Sequence, residues 1–123
     1  MEFGFESLAA WQKSRALVKE VYEIVRTFPS EERYGLSDQM RRAAISVSSN
    51  LAEGKGRVSP KDKIHFCQLA YGSLMEVMCQ LILAQDLGLI SEEYLNKIRI
   101  KVEEVGRLIN GYRNYLREKS DVK

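Results

Sequence analysis

The chain has 123 residues, of which 45% are hydrophobic and 29% are charged; this composition is typical of one globular domain and excludes a disordered chain. Its formal net charge of +2 averages over segments that differ strongly. Residues 41–63 and 97–123 each carry a net charge of +4, whereas residues 64–96 hold four acidic groups and no Lys or Arg. Two basic segments therefore flank one that lacks basic residues.

The first two predicted helices are bounded by residues that favour helix ends. Apolar residues three and four positions apart predict a helix over about 7–27, with Ser7 as its N-cap and Pro29 ending it. A second apolar stripe predicts a helix over about 37–53. We expect that helix to stop at Gly54, because two glycines within three residues favour a C-terminal cap and a loop.

The third and fourth predicted helices have clearer signals. Ser59 stands before a proline, which favours a helix start, and the apolar pattern continues over 60–87 until Gly88. The fourth helix is predicted over 92–117, with apolar residues at alternating spacings of three and four. These heptad residues are Leu95, Ile98, Val102, Val105, Ile109, Tyr112 and Leu116. Residues 117–123 are expected to be frayed.

The lengths of the connections predict how these helices are arranged. Short connections between long helices favour antiparallel neighbours, and no alternating strand pattern competes. We therefore predict an all-α fold, an up-down-up-down antiparallel four-helix bundle that forms a single domain over residues 1–123.

The third helix is apolar around most of its circumference. Over residues 68–85 its only charged residue is Glu76. Such a helix is buried on all sides or contacts a partner, whereas each helix of a four-helix monomer keeps one face in solvent. We therefore expect a homo-oligomer that covers this helix. The alternatives are a monomer with an apolar surface and a docking site for a different protein.

The same argument predicts a partner for Glu76. A lone carboxylate in an apolar helix is costly to bury unless it is paired. Arg42 in the second helix is the expected partner, and its face also holds, at helical spacing, Gln39, Ser46, Ser49, Asn50 and Glu53. We interpret Glu76 and Arg42, with Gln39, Asn50 and Glu53, as a structural polar network. The alternative is a functional polar pocket, which would make the protein an enzyme that uses Glu76 and Arg42.

Several common chemistries lack their residues in this sequence. Cys67 and Cys79 are twelve positions apart in one predicted helix, about 18 Å at 1.5 Å per residue, which is too far for a disulfide. One histidine and no zinc-binding spacing predict no metal and no other cofactor. No phosphate-binding loop is present, and His65 and Cys67 point apart on a helix. We therefore predict a protein that is not an enzyme and has no small-molecule substrate.

Three features predict the cellular location. The N-terminus has acidic residues where a secretory signal has positive charge. The longest uncharged stretch, residues 64–75, is too short and too polar to span a bilayer. Two unpaired cysteines are typical of a reducing compartment. We expect a cytoplasmic protein without a membrane partner.

The basic residues are the remaining functional signal. Lys55, Arg57, Lys61 and Lys63 crowd the predicted loop between the second and third helices, and Arg41 lies early in the second. Further basic residues lie on the fourth helix among two tyrosines. Basic side chains beside aromatic rings bind phosphates and stack on bases, so we predict that these five residues contact structured RNA or DNA. The alternative is a solvated face; an oligomer favours binding, because it repeats the basic loop.

Short strings along most of the chain match one known family. They are Leu8-x-x-Trp11-Gln12-Lys13, Phe28-Pro29-x-x-Glu32, Tyr34-Gly35-Leu36-x-x-Gln39-x-Arg41-Arg42-Ala43-Ala44-x-Ser46, Ser49-Asn50-Leu51-Ala52-Glu53-Gly54, Gly56-Arg57, Ala70-x-Gly72-Ser73-Leu74-x-Glu76 and Leu87-Gly88-x-Ile90. Together they cover roughly residues 8–112, and the combination resembles the 23S ribosomal RNA intervening-sequence proteins. The sequence departs from that pattern at Ser48, where a proline is common, and at Cys67, where a leucine is usual.

The resemblance implies more than the residues do alone. It implies a four-helix protomer that assembles into a ring-like homopentamer, and a bacterial gene of a type that can lie in an intervening sequence of a 23S ribosomal RNA gene. A similar fold serves as an accessory nucleic-acid-binding subunit in diversity-generating retroelements. No catalytic residue and no cofactor come with the family. A scaffolding module that binds proteins and no nucleic acid is the alternative function.

Overall fold

A computed structural model describes residues 1–121 of the chain, and for residue 121 it describes the backbone alone. It contains four α-helices in chain order: α1 (Ala9–Val25), α2 (Leu36–Lys55), α3 (Pro60–Asp86) and α4 (Glu92–Asp121). Short 3-10 turns lie at Gly4–Ser7 and Ser30–Glu32. Around the bundle α1 packs on α2, α2 on α3, α3 on α4, and α4 closes on α1. The predicted all-α, up-down-up-down four-helix bundle is confirmed.

The heptad pattern of the fourth helix faces the core as predicted. Six of its seven residues are buried, and Tyr112 is half-buried. They pack with fully buried side chains from the other three helices, including Val21, Leu51 and Leu74. Burial of this apolar surface is the main favourable term in the folding of the protomer.

The predicted helix starts are confirmed at α3 but not at α1. The Ser59 hydroxyl accepts a hydrogen bond from the amide of Asp62 at 3.1 Å, which caps α3. The predicted N-cap role of Ser7 is wrong. Ser7 ends the first 3-10 turn and donates its hydroxyl to the carbonyl of Gly4 at 3.1 Å, so that α1 begins only at Ala9.

One predicted glycine stop is confirmed and the other is wrong. Gly88 follows α3 with a φ of 75°, and the amides of Gly88 and Leu89 satisfy the last carbonyls of the helix. Gly54 lies inside α2, which continues to Lys55. A Cβ at Gly54 would lie 2.5 Å from the Cβ of Phe66 on α3. Glycine is therefore required there for the close approach of α2 and α3, not for a helix end.

The other helix ends differ by a few residues from the predicted ones. α1 ends at Val25, two residues earlier than predicted, and the Thr27 hydroxyl donates to the carbonyl of Ile24 at 2.6 Å. α4 continues in helical form to Asp121. We expected the chain to be frayed from residue 117, and this prediction is wrong for residues 117–121, which are helical. Residues 122–123 lie outside the described part of the chain.

α3 is the most apolar helix of the bundle. By length and composition it could cross a membrane, with 33% of its most apolar 18-residue window buried inside the bundle. A core helix of a globular bundle meets the same criteria. Ala70, Leu74, Val77 and Leu81 of this helix are buried against the other helices, so α3 is here a core helix with a second, exposed side.

The contact at Gly54 predicts an unequal response of two helical glycines to alanine. Gly54→Ala forces its methyl group against Phe66 and should lower the free energy of unfolding by about 1–3 kcal/mol. The control is Gly111→Ala in α4, where a Cβ meets no atom within 4 Å and alanine should stabilise the helix by up to ~1 kcal/mol. Denaturant unfolding at one fixed protein concentration measures both. Equal effects of the two substitutions would show that the close approach is not tight.

Candidate nucleic-acid interface

The antiparallel topology brings two basic segments to one end of the bundle. The end of α2, the start of α3 and the last turns of α4 all lie there, because α2 and α4 run in the direction opposite to α1 and α3. The ammonium of Lys55 lies 5.8 Å from the centroid of the Tyr112 ring, which joins the loop to α4. We call this surface the basic end; its basic residues are Lys55, Arg57, Lys61, Lys63, Arg113, Arg117 and Lys119.

The predicted loop residues have different local partners at the basic end. The Arg57 guanidinium lies over the Phe66 ring at 4.7 Å and pairs with the carboxylate of Glu53 at 2.7 Å. The Lys63 ammonium donates to the carbonyl of Lys55 at 3.3 Å. Lys61 is exposed and makes no salt bridge among the side chains described. Since an exposed ion pair contributes little, Arg57 stays available to an anion.

Arg41, the fifth predicted contact residue, does not lie at the basic end. It lies fourteen positions before Lys55 on the same straight helix, about 21 Å away at 1.5 Å per residue. Its guanidinium instead lies 6.0 Å from the centroid of the Tyr22 ring on α1. Four of the five predicted residues are thus brought together by the fold, and the fifth is separated from them.

The basic end also contains residues that the predicted site omitted. Lys119 lies over the ring of Tyr115 at 5.2 Å, so this end has three cation–aromatic contacts. Its acidic residues include Glu53, which pairs with Arg57, the exposed Asp62 and Glu118, and Glu6 of the first 3-10 turn, which lies beside Lys55. The spacing along α4 alone predicts one helix face that carries both arginines and tyrosines. Only the antiparallel topology shows that they share an end with the α2–α3 loop.

Beneath this surface lies a small polar cluster in the core. Cys67 is 2% exposed, and burial raises the pKa of its thiol to about 11, against the opposing effect of the Arg113 charge. Burial also raises the pKa of Tyr112, and the neighbouring Cys67 raises it further. Both groups therefore keep their protons at neutral pH.

The predicted pair between Arg42 and Glu76 is wrong within the protomer. The Nε of Arg42 pairs with Asp38, one turn earlier on α2, at 3.0 Å. Glu76 is exposed, and among the described residues its one hydrogen-bond donor is the side chain of Gln80, at 3.3 Å. The premise of the pairing fails, because a carboxylate that stays in water has no burial cost to offset.

The other members of the predicted polar network are also dispersed. Asn50 donates to the carbonyl of Ser46, one turn earlier, at 2.9 Å. Glu53 pairs with Arg57 at the basic end, and Gln39 is exposed at the opposite half of α2. The Asn50 amide also donates to the Ser46 hydroxyl at 3.1 Å, but among the described residues none of these contacts extends to Glu76. The hydrogen bond that links α2 to α3 in this region joins the hydroxyls of Ser46 and Ser73, at 2.8 Å.

The outer side of α2 and α3 exposes a group of large apolar side chains. They are 37–45% exposed, and we call this surface the α2–α3 face: Ile45, Leu69, Met75, Ile82 and Leu83. Arg42 and Glu76 are exposed on the same two helices. Water-exposed apolar side chains at this density are typical of an interaction surface.

Two grooves lie on the bundle, and Met75 of the α2–α3 face lines the second of them. One of about 540 Å³ runs between α1 and α4, where the Glu20 carboxylate accepts hydrogen bonds from Lys101 at 2.6 Å and from the Tyr94 hydroxyl at 3.4 Å. Burial, with the Glu20 charge, raises the pKa of Tyr94. A groove of about 270 Å³ lies between α3 and α4. Neither is lined by Arg42 or Glu76, and residues 1–120 hold no group of three or more potential metal ligands.

The fold defines an all-α four-helix-bundle protein. Within that class, the chain belongs to the family of 23S rRNA-intervening sequence proteins, whose sequence model matches residues 6–111. The fold is similar to the 1.70 Å crystal structure of a protein of unknown function from the S23 ribosomal protein family of Bacteroides thetaiotaomicron VPI-5482. The TM-score is 0.79 at 20% sequence identity, over 85% of this chain and 95% of that chain. Comparison with the curated proteins gives no match.

The buried thiol predicts a loss of stability in alkaline solution. The pKa of the Cys67 thiol rises from 9.0 to about 11 on folding. Between pH 9 and pH 11 this thiol is therefore ionised in the unfolded state and protonated in the folded state, which stabilises the unfolded state relative to the folded one. The free energy of unfolding should therefore fall across this range. Cys67→Ala should remove part of that fall, and the remainder belongs to Tyr94 and Tyr112, whose pKa values are also raised.

The measurement is the melting temperature between pH 7 and pH 11, compared within each variant so that the packing loss of Cys67→Ala cancels. Cys79→Ala is the control for the loss of a thiol on the same helix, because Cys79 is exposed and Cys67 is buried. A profile of Cys67→Ala identical to that of the original chain would contradict the assigned burial effect.

Proposed function

We propose that this protein is a non-enzymatic homo-oligomer that binds RNA or DNA through the basic end. The observation that supports this most is the convergence of Lys55, Arg57, Lys61 and Lys63 with the basic last turns of α4. Phosphate groups bind such side chains with release of counterions, and this term supplies most of the affinity of sequence-independent binding.

The aromatic rings at the basic end add a second kind of contact. The Arg57 guanidinium lies over the Phe66 ring at 4.7 Å, and Lys119 lies over Tyr115. Planar guanidinium and aromatic groups both stack on bases. Stacking tolerates any base, so the proposed binding depends on the shape and charge of the nucleic acid more than on its sequence.

The proposed homo-oligomer forms through the α2–α3 face. Its five apolar side chains are 37–45% exposed, and their burial by a second copy would remove them from water. Arg42 and Glu76 give this face both signs of charge, so that a second copy can supply the opposite charge to each. The family membership supports a ring of five protomers, and the cytoplasm is the proposed compartment.

Assembly would strengthen the proposed binding of nucleic acid. A ring repeats the basic end once in each protomer and so places several copies around one axis. Their summed field attracts a polyanion more strongly than one modest patch does. The same exposed face also supports the alternative function, a scaffolding module that docks a different protein.

The proposed nucleic-acid interface predicts a salt-dependent affinity that depends on the position of the charges. The variant with Lys55, Arg57, Lys61 and Lys63 all changed to Ala should bind a labelled structured RNA more weakly. Its plot of log affinity against log salt should be flatter by about 0.7 to 0.9 for each phosphate that is no longer neutralised. Fluorescence anisotropy over a salt series measures both quantities.

A charge-matched control separates position from total charge. It changes four exposed basic residues at the opposite end of the bundle to Ala: Arg26, Arg33, Lys97 and Arg99. This control should keep the original slope. If both quadruple variants lose the same affinity, the basic end is not the interface, and if the original chain shows no binding at low salt, the proposed function itself is wrong.

The proposed assembly predicts that one charge on the α2–α3 face disrupts it. Leu83→Glu should convert the oligomer to a protomer of 14.1 kDa, because the carboxylate cannot be buried without a partner. The control is Ile100→Glu on α4, where the side chain is 67% exposed and outside the face. Light scattering behind size exclusion gives the masses. A mass of one protomer for the original chain would overturn the oligomer, and five times that mass would support the ring.

A further inference from the structure

Two of the unpartnered polar atoms in the protein belong to adjacent residues at the basic end. The hydroxyl oxygen of Tyr112 and the Nε of Arg113 are both enclosed and have no hydrogen-bond partner among the described residues. The third such atom, Oε1 of Gln80, lies in the other half of α3. A buried donor without an acceptor costs about 1–3 kcal/mol, so this pair requires an explanation.

The helix that carries the pair offers it no anion within one turn, and two carboxylates that other elements bring to this end are already engaged: Glu6 accepts from the amide of Phe3 at 2.7 Å, and Glu53 pairs with Arg57. The residues one turn from Arg113 on α4 are Ile109, Asn110, Leu116 and Arg117, and none is acidic. Arg113 makes no salt bridge with any described side chain. The Lys55 ammonium adds a further positive charge 5.8 Å from the Tyr112 ring.

The nearest thiol does not supply the missing acceptor. Burial holds the pKa of Cys67 at about 11, so that it is a neutral S–H at physiological pH and not an anion for Arg113. Tyr112 likewise keeps its proton, since burial raises its pKa, and its hydroxyl remains a donor. An oxyanion is an acceptor of the kind that both donors lack.

We propose that Tyr112 and Arg113 form a binding site for one phosphate group, with Lys55 at its edge. The inference deepens the proposed function and rests on it for the source of the phosphate, a nucleic-acid backbone. Free inorganic phosphate shares the same chemistry. The guanidinium binds such a group through parallel N–H donors, which a lysine at the same place cannot reproduce. The Lys55 ammonium lies over the Tyr112 ring at 5.8 Å, where it adds a positive charge beside the hydroxyl.

Each half of the site has a matched control three or four positions further along α4. Tyr112→Phe removes only the enclosed hydroxyl, and Tyr115→Phe removes an exposed one beneath Lys119. Arg113→Met removes the guanidinium of the site, and Arg117→Met removes an exposed one at the same end. Arg113→Lys retains the charge without the planar fork.

The first arm uses inorganic phosphate and the full chain. Phosphate should raise the melting temperature of the original chain more than chloride does at equal ionic strength. Arg113→Met should abolish this rise, Tyr112→Phe should reduce it, and both controls should retain it. Without phosphate, Tyr112→Phe should melt at or above the original temperature, because an unpartnered hydroxyl has been removed.

The second arm uses the labelled RNA at fixed salt. Arg113→Met and Arg113→Lys should lose about tenfold in affinity, the effect of removing a charge-assisted hydrogen bond, and Arg117→Met should lose much less. Equal losses at Arg113 and Arg117 would overturn the site and leave the interface intact. So would RNA binding without any phosphate effect, or a lower melting temperature of Tyr112→Phe, which would reveal a partner in the free protein. Phosphate stabilisation without RNA binding would overturn the proposed function and support the site.

Discussion

The apolar circumference of α3 is the constraint on which the rest of the bundle depends. One side of this helix, with Ala70, Leu74 and Leu81, is buried in the core, where it contacts α2 and α4. At its first turns Phe66 packs on Gly54 so closely that no other residue fits there without displacement. The opposite side retains Leu69 and Leu83 in solvent. A helix of this kind both closes the bundle and leaves an apolar surface in solvent.

The polar residues of α2 show why short-range pairs prevail over long-range ones on an exposed surface. Arg42 has a carboxylate one turn away, at Asp38, and the two meet without ordering anything beyond their own helix. A pair with Glu76 would have to hold two exposed side chains together across two helices, at a larger entropy cost for a similar gain. The interhelical polar contact that does form uses the short hydroxyls of Ser46 and Ser73.

The directions of the helices decide which basic residues lie close together in the bundle. Along the chain, the basic segments 41–63 and 97–123 are separated by 33 residues that contain no Lys or Arg. In the bundle, the loop after α2 and the last turns of α4 share one end. Arg41 belongs to the first basic segment in sequence but lies far along α2, beside Tyr22. Proximity in sequence therefore does not give proximity in the bundle: Arg41 lies away from the α2–α3 loop, and Arg113 lies at the same end as that loop.

The sequence by itself determined the number of helices, their order and the residues of the core, because heptad spacing and capping residues act within a few positions of one another. The Ser59 cap, the Gly88 stop and the apolar repeat of α4 are signals of this local kind. Only the tertiary structure decided the role of Gly54, the separation of Arg42 from Glu76, and the meeting of Lys55 with Tyr112. Each of these depends on the distance and orientation between different helices, which no spacing along a single helix contains.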